Sequence, residues 1–598
     1  MLEARSHMKE PLLNQDWFEM KDIRRRKLDS LIWIPLRAIQ KPQKEGQYGY
    51  CGYIEEFRGV GTLAVPEEMK ASAESLDWMD VGISHHHFGV FEDGKYKPSD
   101  IYEHYDGDLT GLHLVLEQHI NSEELTEWHL HQDFVITLGL KREKDIWICP
   151  NEGYIEVARL KRDETGRPVL LEVRAQHLKD YLCARNMWIY ATSFHSRTVV
   201  CEEPSVVNWE NDQCKEEKEG DRWEGRIIEI HEGGHPYGEK MAVFHIARTD
   251  IDESDDIPDI SGIPTDDNTT SDSWETGFEG RKLYTILGEL WRTEWVSPAS
   301  LSTRIKDDEP PPSVFFIVDE EGNKESKETL TKGGRWLWFK PDVIMALAHR
   351  RGGALSWYTK DTGSVRCSPD YNIHFGINIL GLVNAYAKDI GLLPEWQQQI
   401  WVGYNVSPEG GVSEELLASQ VRAQPATTQA PEEFLKLGIQ YLSYLAQQKL
   451  NISIFKDHES IPELLDKTHR FRAVDQTGLY ALAKDIARLT ADHLNTTAIQ
   501  NIVPPPAKTK WGSLKSLENL IASKTDAAHA RWLMGPLVGA YELRHADAHL
   551  PSSDVEEAFS LLRVDRSLPL VFQGCQMLHW CVSSIYGIAE VLKEWDVK

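Results

Sequence analysis

Pro536-Leu-Val-Gly-Ala-Tyr541-Glu-Leu-Arg544-His545-Ala-Asp547-Ala-His549-Leu-Pro551-Ser-Ser553 is the stretch on which the fold turns. Pro536 suits the first position of a helix, where its missing N–H is no loss. The residue before Pro551 is pushed out of the α region, so the helix must stop there. The spacing therefore predicts a helix over 536–549, and Ser553-Asp-Val-Glu556 has the capping-box form that starts the next one. At about 100° per residue, Leu537, Tyr541, Arg544 and Ala548 fall within about 60° of one another, which puts Arg544 on the stripe expected to face a core or a partner. A guanidinium there needs an anion or a carboxylate, and its planar donor fork suits a phosphate oxygen. His549 points about 140° away, so the two side chains meet at one phosphate only if the helix end unwinds or a second protomer contributes. A composite, dimeric site is expected.

Around this stretch, 3.6-residue periodicity recurs over 432–450, 475–495, 513–524, 526–535, 554–563 and 569–595, which predicts an all-helical bundle over 431–598. Residues 406–430, with Gly410-Gly411 and Ala423-Gln-Pro-Ala-Thr-Thr-Gln-Ala-Pro431, have linker composition. Residues 9–205 are rich in short β-branched runs, among them Asp133–Leu140, Asp145–Cys149 and Tyr154–Ala158, and predict a β-rich α+β domain. Residues 206–405 predict a second α+β domain, with strands near 226–231 and 241–247, an acidic loop over 249–280 too polar to offset its ordering entropy, and a helical pattern over 373–403. The expected fold class is multidomain α+β, a β-rich N-terminal region followed by an all-α bundle.

Length and charge set outer limits. At roughly 150 residues per domain, 598 residues suggest about four folding units. Lys and Arg number 65 against 94 Asp and Glu, a formal charge of −29 that repels polyanions at long range and argues against a nucleic-acid coat protein. The charge is uneven: from Pro431 onward 18 basic residues meet 20 acidic ones, so a net −27 lies on residues 1–430. No run of about 18 uncharged apolar residues is present to span a bilayer. Eight cysteines without a C-x-x-C pair fit reduced thiols and a cytoplasmic location. The opening MLEARSHMKEP lacks a secretory apolar core, and its Ser6-His7-Met8 reads as a cloning remnant.

Arg544-His545-x-x-x-His549, an R-x4-H with a polar residue after the arginine near the end of a late helix, resembles the signature of the HEPN superfamily. The resemblance covers about residues 431–598, and a long N-terminal region joined to such a bundle is similar to ApeA-like anti-phage proteins. It implies a HEPN-like fold and a metal-independent endoribonuclease with no cofactor. It further implies a homo-oligomer, at least a dimer through the bundle, acting on RNA in abortive-infection defence as a toxin. In that scheme Arg544 holds the scissile phosphate, His549 shuttles protons and His545 assists. The N-terminal region would answer a phage or nucleotide trigger. RNA carries its own nucleophile, the 2′-OH, so positioning, charge stabilisation and an imidazole that titrates near neutral pH suffice to give 2′,3′-cyclic phosphate and 5′-OH ends. Glu542 and Asp547 flank the motif and are expected as structural partners of Arg544 or of a histidine. A non-catalytic module, with the bundle as dimeriser and the N-terminal sheets as receptor, is the second class of function.

Other motifs compete. Arg488-Leu-Thr-Ala-Asp-His493 repeats the R-x4-H spacing, but His493 continues the Leu479, Leu482, Ile486, Leu489 stripe and Arg488 points outward, so a core histidine with a solvated arginine is expected. His231-Glu232-Gly-Gly-His235 matches H-E-x-x-H, the signature of a zinc hydrolase. Its two glycines weaken a helix and Pro236 disfavours α conformation at His235, so a strand followed by a turn is expected, and a zinc-dependent hydrolase at His231, Glu232 and His235 is the third class of function. His85, His86, His87, His113, His119, His129 and His131 make a histidine-dense region read as a polar sheet face. Trp188, Trp336, Trp338 and Trp357 are read as core or pocket walls. No G-x-x-x-x-G-K-[ST] or G-x-G-x-x-G occurs, which removes local support for a nucleotide motor or a Rossmann enzyme.

Overall fold

The computed structural model describes residues 14–83, 90–92, 94–103, 110–120, 125–238, 240–248, 269–456, 459, 461–544 and 552–595. The chain divides into two compact units, Met1–Pro310 and Pro311–Lys598. No helix among the described residues is long and apolar enough to cross a membrane.

The β-branched and alternating runs of the first unit pair as a twelve-stranded antiparallel sheet. Its main path is Gln213–Lys218, Asp221–His231, Lys282–Val296, Met187–Cys201, Ile54–Pro66, Trp33–Glu45, Pro168–Arg174, Ile155–Arg162, Ile146–Cys149 and Lys141–Glu143. The strands Met187–Cys201 and Lys282–Val296 pair without a break from Ile189 opposite Val296 to Cys201 opposite Tyr284. That pairing corrects the expected boundary between 205 and 206, because strands from both sides of it share one sheet. The polar stretch 208–221 beside that boundary holds an edge strand, Gln213–Lys218, whose side chains are all exposed, as unpaired edges commonly are.

The helix Ala175–Arg185 buries Leu178, Tyr181 and Leu182 against Phe134, Trp147 and Val173. Asp133–Leu140, expected as a strand, instead begins with the helix Gln132–Thr137. Phe134 in the helix and Leu138 at its C-cap are buried, four apart, while Ile136 faces solvent, so burial there follows the helical period and overrides β-branched propensity. Within the expected acidic loop, residues 249–268 lie outside the described residues, and Thr269–Gly277 is a strand paired with Lys240–Arg248.

The second unit holds a six-stranded antiparallel sheet in the order Ala354–Trp357, Thr362–Arg366, Ile373–Ile377, Val383–Tyr386, Trp336–Phe339 and Asn405–Val406. The pattern over 373–403, expected to be helical, begins as a hairpin. Asn378 Oδ1 accepts from the N–H groups of Leu380 and Leu382 at 3.1 and 3.0 Å, and Gly381 takes φ +78°, which closes the turn. The expected linker 406–430 is pinned to this sheet. Its helix Glu414–Gln420 is capped by Ser413, and Glu415 accepts from Thr428 Oγ1 at 2.8 Å and from the Asp361 N–H at 3.0 Å.

From Pro431 the described residues are mostly helical, with Pro431–Leu450, Gln476–Leu489, Ser513–Ala522, Ala527–Leu543, Ser552–Leu562 and Leu570–Lys593 on the expected segments, and the short helices Ile461–Lys467 and Thr496–Ile502 outside them. Leu442, Leu482, Ile486, Leu517, Leu537, Leu578 and Ile585 share its core. The bundle is not a separate domain, because Phe471 and Val571 enter the core of the six-stranded sheet beside Phe375 and Trp357.

Candidate functional site

The helix expected to start at Pro536 starts nine residues earlier, at Ala527, and Pro536 lies inside it. A proline there removes the bond to the carbonyl four residues back and crowds the preceding turn. A non-local donor satisfies the freed acceptor, since Arg563 Nη2 donates to the Trp532 carbonyl at 3.0 Å, and Ser584 Oγ donates to the neighbouring Leu533 carbonyl. The two segments expected on either side of Pro536 are therefore one helix. It packs closely on Ser552–Leu562, since a Cβ at Gly539 would come within 2.7 Å of the Ala558 carbonyl.

This helix ends at Leu543 with Arg544 as its C-cap, where a cation meets the negative end of the helix dipole. Leu537 is buried, Tyr541 and Arg544 half-buried, so the stripe runs from core to rim. The Arg544 Cζ lies 3.8 Å from the Tyr541 ring centroid, and Nη1 donates to both Asp492 oxygens, at 2.8 and 2.7 Å. The Arg544 side chain is 18% exposed and that of Asp492 46%, so the pair stands at the surface. His545, Asp547 and His549 lie outside the described residues; Glu542 is exposed.

Asp492 was missed as a partner, although the sequence points to its neighbourhood through the second R-x4-H. The helix Gln476–Leu489 stops four residues before His493, so His493 does not continue the core stripe. It is half-buried in the turn that follows, stacked on Phe455 with ring centroids 4.8 Å apart, and its Nε2 donates to the Lys456 carbonyl at 2.6 Å. Lys456 Nζ in turn donates to the Asp492 carbonyl at 3.2 Å. Arg488 is exposed, as expected. A guanidinium, a carboxylate, an imidazole and an ammonium are thus carried by two neighbouring chain segments and the helix end.

The rival motif is built differently. His231 closes the strand Asp221–His231, and Gly233 and Gly234 take φ +108° and +96° in the turn that follows. His231 Nδ1 donates to the Gly280 carbonyl at 3.2 Å and Nε2 accepts from the Gly238 N–H at 3.1 Å, so the lone pair a zinc ion needs is already used. Glu232 pairs with Arg281, and His235 stacks on Phe278, ring centroids 4.0 Å apart. Among the described residues no group of three His, Cys, Asp or Glu is arranged to hold a metal ion.

In the histidine-dense region, His129 contacts Gln118 and Arg142, and burial followed by the Arg142 charge pushes its pKa down. His131 follows the strand Leu125–Leu130 and caps the helix Gln132–Thr137 while donating to Asp100 at 3.0 Å. His113 is buried; His85, His86, His87 and the side chain of His119 lie outside the described residues. Trp357 is a core wall, stacked on Phe471. Trp336 and Trp338 are half-buried, and the Trp188 ring lies under the Lys70 ammonium at 3.3 Å. Comparison with known proteins finds no match to a family model, a curated protein or a solved structure.

Proposed function

We propose that this chain is a metal-independent endoribonuclease of the HEPN type, acting in bacterial anti-phage defence by abortive infection, with the N-terminal region as sensor or regulator. The observation that carries the reading is Arg544: a half-buried guanidinium at a helix end, over the Tyr541 ring and paired with a solvent-facing carboxylate, with His545 and His549 following it in the sequence. Asp492 stands where an anionic ligand of Arg544 would stand. A phosphodiester that displaces it gains a donor fork able to stabilise the added charge of a pentacoordinate phosphorus. His549 takes the 2′-OH proton or supplies one to the departing 5′ oxygen. As the P–O5′ bond breaks, a 2′,3′-cyclic phosphate and a 5′-OH form without water or metal.

The test is incubation of the full chain with total RNA in EDTA. Cleavage with cyclic-phosphate ends is expected, and Arg544→Ala and His549→Ala each abolish it while leaving the oligomer seen in analytical ultracentrifugation unchanged. Cleavage retained in both variants refutes the assignment. The Arg544–Asp492 pair also favours a second reading, in which Arg544 is a structural tie and the bundle binds without cutting. RNA that is bound yet stays intact under every condition selects it.

A further inference from the structure

On the first half of the helix Ala527–Leu543, Trp532 is 56% exposed, an unusual placement for the largest apolar side chain. Arg563 lies against it, its Cζ 4.2 Å from the Trp532 ring centroid and 4.6 Å from that of half-buried Trp580. Two features hold this guanidinium in place. Its Nη2 donates to the Trp532 carbonyl that Pro536 leaves without a helical partner. Its backbone sits at φ +57° just past the helix Ser552–Leu562, a position where glycine is the usual residue and any side chain costs about 1 kcal/mol. Exposed imidazoles extend the surface. His529 is nearly parallel to Trp532, at 13° with centroids 6.1 Å apart, and His579 meets Trp580 edge-on at 5.2 Å. Arg531 is exposed beside Trp532, and Arg566, paired with Glu556, lies three residues beyond Arg563.

We propose that Trp532, Arg563 and Trp580, with His529 and His579, form a stacking platform for unpaired nucleobases of single-stranded RNA. Every base offers a π face, so indole and guanidinium surfaces hold single strands with little sequence preference, and a duplex hides those faces. The cations match the phosphodiester charge, which an aliphatic docking face would not. Trp532 and Arg544 lie on one helix, twelve residues or about 18 Å apart along the axis, a span that a few nucleotides of extended strand cover. Twelve residues also turn the helix by about 120°, so a strand stacked at Trp532 must pass part way around it to reach the Arg544 end. The choice of RNA as ligand rests on the ribonuclease reading; the platform itself rests on its own residues.

The experiment is fluorescence anisotropy of a short fluorescein-labelled 2′-O-methyl oligouridylate with the full chain. That probe lacks the nucleophile and stays intact. Trp532→Ala is expected to weaken binding by between about fivefold and about 150-fold, while Trp532→Phe keeps most of the affinity. The same sequence annealed to its complement is expected to bind far more weakly. Binding by Trp532→Ala as tight as the parent's, or equal binding of duplex and single strand, overturns the platform. So does a failure of the parent to bind either form, the result expected if the patch instead receives a protein. Arg544→Ala that still cleaves RNA, beside a Trp532→Ala that has lost binding, overturns the role assigned to Arg544 and supports the platform.

Discussion

Arg544 Nη1 donates to both oxygens of Asp492, at 2.8 and 2.7 Å, across 52 positions of sequence. With side-chain exposures of 18% and 46%, such a pair contributes less than about 1 kcal/mol, so a phosphate that replaces the carboxylate gives up little. Asp492→Asn keeps the shape and removes the competing charge. Its melting temperature should stay near the parent's, and RNA cleavage at low RNA concentration should rise by up to about fivefold. A fall in cleavage with unchanged stability would make Asp492 a residue that positions Arg544 rather than one that occupies its anion site.

The bundle was legible because its apolar period of 3.6 is long and regular, and the segments 432–450, 513–524 and 569–595 match observed helices within a few residues at each end. Pro536 was not, because its local rule says helix start. Whether a proline is tolerated inside a helix depends on donors elsewhere, here Arg563. Asp492 was hidden for a related reason: only the turn that breaks the helix at Leu489 brings its carboxylate to Arg544. The large sheet crosses the expected boundary because an exposed edge strand such as Gln213–Lys218 has the composition of a linker.

The pair Arg470–Glu432 is buried where Arg544–Asp492 is not. Arg470 is fully buried, donates to the two Glu432 oxygens at 2.7 and 2.8 Å, and lies 4.3 Å from the Trp357 ring centroid. Burial alone would push the Glu432 carboxyl up, but the Arg470 charge and hydrogen bonds hold it below its usual range. Removing one partner strands the other charge, so Glu432→Gln and Arg470→Met should each lower stability by about 3–5 kcal/mol in urea unfolding. Arg470→Met combined with Glu432→Leu should recover most of the loss. A double variant as unstable as the worse single would show that the lost packing, not the stranded charge, dominates.

His469 is 4% exposed, and neither ring nitrogen has a hydrogen-bond partner among the described residues. Burial pushes its pKa down to about 4; Glu432 opposes that, while His349, Arg472 and Arg470 add to it. Between about pH 6.5 and about 4 the unfolded chain takes a proton that the native ring refuses. Stability should therefore fall as pH drops through that window, by up to about 1.4 kcal/mol per pH unit from this group. His469→Phe removes the titrating ring and should flatten that part of the profile, measured by urea unfolding at several pH values. An unchanged slope would assign the acid sensitivity to other groups.

In the first unit, Arg197 fastens the opening helical turns to the large sheet. It is nearly buried and donates to the Trp17 carbonyl at 2.7 Å, to both Asp22 oxygens at 2.8 and 2.9 Å, and to Glu56 at 3.0 Å. Burial raises the Asp22 carboxyl, but Arg197 outweighs it and leaves the pKa depressed. The clamp therefore contributes stability above the ordinary carboxylate range and loses it as pH falls through the lowered value. Arg197→Met leaves Glu56 to Arg58 and releases Asp22, so the segment carrying Arg24-Arg25-Arg26-Lys27 should open more often. Brief trypsin treatment at neutral pH should then cut there faster than in the parent, while sites in the second unit keep their rate. Equal rates at this basic run would mean that Phe18 and Met20, both fully buried, hold the segment down without the clamp.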